Sequence, residues 1–255
     1  MDKLTIIKVG GKVVEDSDSM ILLMDHFAQI SGNKILVHGG GRAATDLAKK
    51  LGIESQMVNG RRITGKDMLD VAIMVYGGLI NKKIVAGLQA RGCNAIGLTG
   101  ADINLISARK RPVEPIDYGY VGDIEDVNSS DLRILLNENI VPVIAALTHD
   151  GKGNLLNTNA DTIACELAVE LTGHFQVFLF YCFEKKGVLK DPSDDNSIIH
   201  ELDVDSFKKY QNEGSISTGM IPKLDNGFRA KKAGVKEVLI TNTDSMTSGK
   251  GTRLI

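Results

Sequence analysis

Lys8 lies inside an apolar stretch, residues 4–9, two positions before Gly10 and Gly11. An ammonium group is costly to bury there without a partner. The ordinary explanation is a stem along apolar surface with its head in water. The carboxyl end of a first parallel strand, however, is where open α/β sheets bind ligands, and that favours a cation meeting an anion. Lys223 falls in the first turn of a helix expected over 220–233. The helix dipole disfavours a cation there, so an anionic partner is expected, the alternative being an exposed lysine that tolerates a small penalty. Arg62 follows an Asn59-Gly60 turn signal. It reads equally as a fork for a carboxylate or as a solvated hairpin arginine. Asn157, Asn159 and Asp161 precede a helix over 162–171 and suit turn and N-cap positions.

The glycines supply a second kind of chemistry. Residues 35–38 are apolar up to His38 and run into Gly39, Gly40 and Gly41, after which Ala43, Ala44, Leu47, Ala48 and Leu51 repeat at helical spacing. Backbone without side chains at a helix N-terminus is an anion site. Gly39, Gly41 and Ala44 also fit GxGxxA, the dinucleotide fingerprint, which needs an acidic residue about 20 positions further on. That region reads Val58-Asn59-Gly60-Arg61-Arg62 and holds none. Two diglycine turns, Gly10-Gly11 and Gly39-Gly40-Gly41, point instead to two phosphate- or carboxylate-sized anions. No GxxxxGK[ST] P-loop occurs.

These residues need a scaffold, and the periodicity provides one. Strand, helix, strand and helix are expected over 4–9, 19–30, 34–38 and 41–51, the opening of a parallel sheet with right-handed crossovers. A β-like hairpin over 56–64 precedes a long helical stretch, 66–91, interrupted at Gly77-Gly78. A buried strand over 95–98, β-ribbons over 105–127, a helix over 129–138 and a strand over 140–145 follow. Beyond the 162–171 helix come strands over 175–181 and 187–189, an acidic loop over 191–196 and a helix over 204–211. Strands over 237–241 and 252–255 close the chain. A weak lobe boundary falls at Thr172-Gly173.

Composition narrows the function classes. The 255 residues, 43% hydrophobic, suffice for one large domain or two lobes on a shared core. A formal charge of -2, 5% aromatic content and no tryptophan give nucleic acid no support. Cys93, Cys165 and Cys182 lie far apart without CxxC and read as reduced thiols of a cytoplasmic protein. No signal peptide is visible, and the most apolar run, 175–183, is too short to span a bilayer. The five histidines have no HExxH spacing, so no metal ligand set is expected.

Five motifs together resemble the amino-acid kinase family, and within it the N-acetylglutamate kinase branch: Ile7-Lys8-Val9-Gly10-Gly11, Val37-His38-Gly39-Gly40-Gly41, Asn59-Gly60-Arg61-Arg62-Ile63-Thr64, Asn157-Thr158-Asn159-Ala160-Asp161 and Gly219-Met220-Ile221-Pro222-Lys223. They occur in family order across almost the whole chain. The resemblance implies a three-layer α/β/α sandwich with a mainly parallel central sheet. Residues 1–172 would bind the acylated amino acid and form a homodimer, and 173–255 would bind ATP. The implied activity is ATP-dependent phosphorylation of the γ-carboxylate of an N-acyl-L-glutamate, in arginine biosynthesis, with Mg²⁺ held mainly by the nucleotide. Lys8 and Lys223 would contact the transferring phosphoryl group, with Asp161 holding both. Gly40, Gly41, Arg62 and Asn157 would bind the substrate. Gly10, Gly11, Glu184, Gly187, Ser217 and Gly219 would lie along the nucleotide.

The chain departs from the family in places. Residues 181–187 read Tyr-Cys-Phe-Glu-Lys-Lys-Gly where the family usually has a Ser/Thr-Asp pair, and Glu184 would replace that Asp. Thr218 stands where many relatives carry Asp, and residues 99–104 are unusual at the acyl pocket, so the motifs leave open whether the acyl group is acetyl or succinyl. The first strand begins at once, without the extra helix linked to arginine-sensitive hexamers, so strong arginine inhibition is not expected. Two other readings compete: an NAD-binding oxidoreductase, against which the missing acid speaks, and a silent nucleotide or amino-acid sensor of the same fold, against which Lys8, Asp161 and Lys223 together speak.

Overall fold

A computed structural model describes residues 1–58, 61–191, 193–216 and 219–255. The Asn59-Gly60 turn and the site candidates Ser217 and Thr218 therefore lie outside the described residues.

Elements follow the apolar periodicity closely. Strand β1 (Lys3–Val9) leads to a short helix α1 (Gly11–Glu15) and then to α2 (Ser17–Gln29), whose N-terminus Asp16 caps by accepting from Ser19 N at 2.8 Å. Strand β2 (Asn33–His38) delivers the three glycines to α3 (Gly41–Lys50). The small hairpin β3 (Met57–Val58) and β4 (Arg61–Arg62) carries Arg62. Next comes α4 (Lys66–Ala72), a π-helical segment over Ile73–Ile80, and α5 (Asn81–Gln89). Then follow β5 (Ala95–Leu98), β6 (Ile106–Lys110), β7 (Gly122–Val127), α6 (Ser129–Asn137), β8 (Val141–Ala145), β9 (Leu147–His149) and β10 (Leu155–Asn157). The last part holds α7 (Ala160–Leu171), β11 (Gln176–Phe183), β12 (Glu201–Leu202), α8 (Val204–Asn212), α9 (Ile221–Lys232), β13 (Glu237–Asn242) and β14 (Thr252–Leu254).

Eight strands form one sheet in the order β12-β14-β13-β11-β1-β2-β8-β5. All neighbours are parallel except β13 and β14. Strands buried on both faces explain why β1, β2 and β8 read as nearly unbroken apolar runs. Helices α2, α3 and α5 pack on one side, and α6, α7 and α9 on the other, so the architecture is a three-layer α/β/α sandwich. A second sheet, β10-β9-β6-β7, holds the ribbons. β1 pairs with β2 on one side and β11 on the other, so the order reverses at β1. Ligand crevices of open α/β sheets form at such a point, outside the carboxyl ends of the strands. Lys8 sits there, level with Val37 and Tyr181.

Four expectations need correction. The long helix does not break at Gly77-Gly78. It widens into the π segment, which carries both glycines without a break. Residues 187–189 form no strand; only Leu189 bridges to Ile198. Gly10-Gly11 is not a free turn but the start of α1, a helix too short to show in the periodicity. The helix after Asn159 begins at Ala160, which puts Asp161 inside its first turn. In addition, Lys66–Gln89 is 24 residues long and, by length and composition alone, apolar enough to cross a membrane. Here it packs Met68, Val71, Val75, Ile84 and Leu88 into the core.

Candidate active site

The centre is a carboxylate between two cations. Lys8 Nζ lies 2.7 Å from Asp161 Oδ1, and Lys223 Nζ lies 3.2 Å from Asp161 Oδ2. Lys8 comes from β1, Asp161 from the first turn of α7, and Lys223 from the first turn of α9. Asn159 caps α7 by accepting from Asp161 N at 2.7 Å and Thr162 N at 3.1 Å, which fixes the Asp161 backbone. Tyr181 Oη donates to the Asp161 carbonyl at 3.2 Å. Lys223 Nζ also donates to Gly219 O at 3.3 Å. The anion that Lys223 needed is thus Asp161.

Burial sets the electrostatics. Lys8 is 7% exposed and Asp161 5%. Burial pulls the Lys8 ammonium below its ordinary value, Asp161 opposes this, and Lys223 adds to it. Burial alone would raise Asp161, but two ammonium ions outweigh it and hold the carboxyl below its usual range. Both directions follow from one fact: two cations share one anion. The carboxylate is over-compensated and the deeper lysine under-compensated, which leaves a net positive site suited to another anion. Cys182, on the next strand, is no partner for that charge, because burial pushes its thiol up to about 12.

Beside this triad lies a cavity of about 430 Å³ lined by Gly39, Gly40, Gly41, Arg62, Asn157 and Arg111, among others. Triad and cradle adjoin: a Cβ on Gly39 would sit 3.8 Å from that of Ala160, the residue before Asp161. Arg62 Nη2 donates to Gly41 O at 2.7 Å and to Thr45 Oγ1 at 2.8 Å, and Nη1 donates to Ser55 Oγ. Asn157 Nδ2 donates to Thr64 Oγ1 at 3.0 Å. A Cβ on Gly40 would press on Ile80 Cδ1 and lie 3.0 Å from Tyr76 Cδ1, so the π segment sits directly against the cradle.

The other candidates spread further. Gly10 N donates to Cys182 O at 2.8 Å, and a Cβ on Gly11 would stand 4.0 Å from Gly41 N, so the two glycine turns face each other. Glu184 pairs with Lys12 at 2.7 Å. Gly187 is buried, where a Cβ would strike Thr252 Oγ1 at 2.7 Å, so packing alone accounts for a glycine there. Gly219 is exposed and offers its carbonyl to Lys223.

Three further residues join the site without a signal in the sequence. Glu15 Oε1 accepts from Ala43 N at 2.9 Å, so the α3 N-terminus already holds one carboxylate of this chain. Tyr76 lines the cavity from the π segment. Arg111, held on Asp123 Oδ1 by Nη2 at 2.5 Å and Nε at 3.0 Å, puts another guanidinium in the wall. Nothing local marks these residues; only the crossing of distant segments assembles them.

The sequence profile of the amino acid kinase family matches residues 3–242. The acetylglutamate kinase of Bacteroides thetaiotaomicron is 59% identical over 253 residues, covering 99% of this chain and 98% of that protein. That of Parabacteroides distasonis is 59% identical over 254 residues, covering all of both chains. The solved structure of smu.665 from Streptococcus mutans UA159 superposes with a TM-score of 0.84 at 26% identity, covering 98% of each chain.

Proposed function

Since the chain belongs to the amino acid kinase family, we propose that it is an ATP-dependent acetylglutamate kinase of arginine biosynthesis. The observation that carries the reading is the Lys8–Asp161–Lys223 triad at the switch point of the sheet, beside a glycine-lined cavity with Arg62 in its wall. The near-full-length acetylglutamate kinase relatives support it.

The acceptor is the γ-carboxylate of N-acetyl-L-glutamate, an anion at neutral pH, so no general base is needed. One carboxylate oxygen forms a bond to the γ-phosphorus while the bond from that phosphorus to the β,γ-bridging oxygen breaks. ADP takes that electron pair and the acyl phosphate forms. The difficulty is to bring one anion to another and to stabilise charge on the transferring group. Lys8 and Lys223 supply that charge, and Asp161 orients both ammonium groups without exchanging a proton. A charge at ~4 Å with an effective dielectric near 20 contributes about 4 kcal/mol before desolvation, on the order of a thousandfold in rate. Arg62 takes a substrate carboxylate, and Asn157 and the Gly40-Gly41 backbone hold the rest. Gly10, Gly11, Glu184 and Gly219 run along the nucleotide.

Mg²⁺ would arrive on the ATP phosphates. Among the described residues no three His, Cys, Asp or Glu side chains cluster as a metal group, and Asp161 is engaged by two lysines. Residues 1–172 serve the acyl amino acid, with Gly10 and Gly11 reaching across to the nucleotide, and 173–255 serve ATP. The protein works as a homodimer, for which half-exposed Met74 and Leu79 on the π segment give apolar support. Three buried free cysteines fit a cytoplasmic location.

A second reading of the acyl group rests on Arg111. A succinyl group would add a carboxylate, and Arg111 stands in the cavity wall to meet one. A coupled ADP-release assay across glutamate, N-acetylglutamate and N-succinylglutamate tests both readings. Turnover with the acetyl substrate and little with free glutamate is expected. A preference for the succinyl substrate that Arg111→Ala abolishes selects the second reading, and no turnover with either acyl substrate refutes the function.

A further inference from the structure

His38 and Asn81 are buried polar residues that the proposed chemistry does not use. His38 ends β2, immediately before the cradle. Its Nδ1 lies 2.9 Å from Gly39 O, its Nε2 lies 3.1 Å from Asn81 Nδ2, and Asn81 Nδ2 lies 2.9 Å from Val143 O.

The partners fix the protons. A carbonyl oxygen only accepts, so Nδ1 must carry hydrogen. The imidazole is fully buried, and burial pulls its pKa down to about 4, so it is neutral near pH 7. Nε2 is then a lone-pair acceptor. Asn81 must present its NH₂ group, one hydrogen to Nε2 and the other to Val143 O, because a flipped amide would set its oxygen against two acceptors. The chain Asn81–His38–Gly39 thus has one self-consistent direction.

Two observations tie it to the cradle. The peptide joining Gly39 to Gly40 is planar and trans, so its C=O and N–H point in opposite directions. Tethering the Gly39 carbonyl to His38 therefore aims the Gly40 N–H. Asn81 directly follows the π segment, and Ile80 and Tyr76 of the same segment fill the space a Gly40 side chain would need. π-helical turns concentrate at functional sites. The asparagine also carries a burden: its Oδ1 is buried without a donor among the described residues, pressed against the place where a Gly97 Cβ would be. An unpaired buried acceptor is costly to keep, so packing alone does not explain an amide there.

We propose that His38 and Asn81 are positioning residues, through which the π segment sets the Gly39 carbonyl and so aims the Gly40 amide at the acylated substrate. The proposal rests on the reading of the cradle as the acyl-amino-acid site.

Its test combines ring ¹⁵N NMR with kinetics of three variants of the full chain. The His38 ring should be the Nδ1–H tautomer and keep it from pH 8 to pH 5. His38→Gln, whose amide reaches only the Nε2 position, and Asn81→Leu should each raise KM for N-acetylglutamate about tenfold, the loss expected for one misdirected hydrogen bond, with KM for ATP unchanged. His38→Asn puts an N–H at the Nδ1 position and should rescue most of that rise. An Nε2–H tautomer, or a His38→Gln variant with the parent's KM for both substrates, overturns the positioning pair. The expected tautomer with a KM rise confined to ATP overturns the cradle reading, and with it the aim at the acylated substrate. Thermal melts show that the variants fold, and NMR on the unmodified protein keeps the test valid where one does not.

Discussion

Replacing Asp161 by Asn removes a charge and little volume, and it isolates the work of the triad. The carboxylate meets two ammonium groups at 2.7 and 3.2 Å, almost out of water. Its loss leaves Lys8 buried beside Lys223 with no counter-charge. Removing one member of a buried pair typically costs 3–5 kcal/mol, roughly, because the stranded charge keeps its desolvation penalty. For a chain of this size that lowers Tm by on the order of 10 °C. The pH dependence separates stranded charge from lost packing. In the parent protein Asp161 titrates below its unfolded value, so its stabilisation is present above the unfolded pKa and is lost as pH falls through the folded one. In the variant the deeper lysine, already pulled down by burial, loses its counter-charge and drops further. The folded variant then binds fewer protons than the unfolded chain as pH rises through that lowered pKa, so its deficit against the parent should shrink between pH 7 and pH 10. Urea unfolding followed by far-UV circular dichroism suits a chain without tryptophan. A loss below about 1 kcal/mol, or a deficit constant across that range, would refute the argument that Lys8 is held charged by Asp161.

Other predictions follow from the same geometry. Lys8→Ala and Lys223→Ala should each cut kcat by orders of magnitude while circular dichroism stays native; near-normal turnover in either removes the two-lysine mechanism. Arg62→Lys loses the fork that spans Gly41 O, Thr45 and Ser55, so KM for the acylated amino acid should rise about tenfold or more, and a change in ATP kinetics alone contradicts the assignment. His38 titrates at about 4 when folded and near 6.5 when unfolded, so its contribution is full above pH 6.5 and lost as pH falls toward 4. The difference in stability between parent and His38→Asn should fall by up to about 3 kcal/mol over that window, and a flat difference would contradict a neutral buried imidazole. Glu184→Ala breaks a half-exposed pair with Lys12, and should leave stability within about 0.5 kcal/mol while raising KM for ATP.

Much of the fold was legible because strands buried on both faces write themselves as apolar runs. Residues 4–9, 34–38 and 140–145 needed only hydropathy, and the glycines after the first two marked the ligand edge. Lys223 was legible as a violation: a cation in a first helical turn asked for an anion, and Asp161 is there. What stayed hidden was non-local or small. α1 is five residues long and carries no periodicity. Gly77-Gly78 reads as a break because propensity weighs glycine as an entropic cost, whereas here the helix continues through both as a π segment. Glu15 gave no local signal, because its partner Ala43 is 28 residues away on another helix.

Glu15 also changes what the glycine-rich helix start is for. From sequence, the bare amides of α3 look like an open anion hole for the substrate. With Ala43 N already bound to Glu15 Oε1, the dipole of α3 faces an internal carboxylate, and Arg42 stands 3.8 Å from the other oxygen of that group. The positive potential for an incoming carboxylate must therefore come chiefly from Arg62 and the lysines, with the glycines supplying close approach and direction. That division predicts a specific asymmetry. Glu15→Gln returns part of the α3 dipole to the cavity and should tighten binding of the anionic substrate about two- to fivefold, the effect of roughly 0.3–1 kcal/mol at a helix terminus. Weaker binding would mean that Glu15 is needed chiefly to hold the two glycine turns against each other. Isothermal titration with N-acetylglutamate, at low salt where the dipole is least screened, decides between the two.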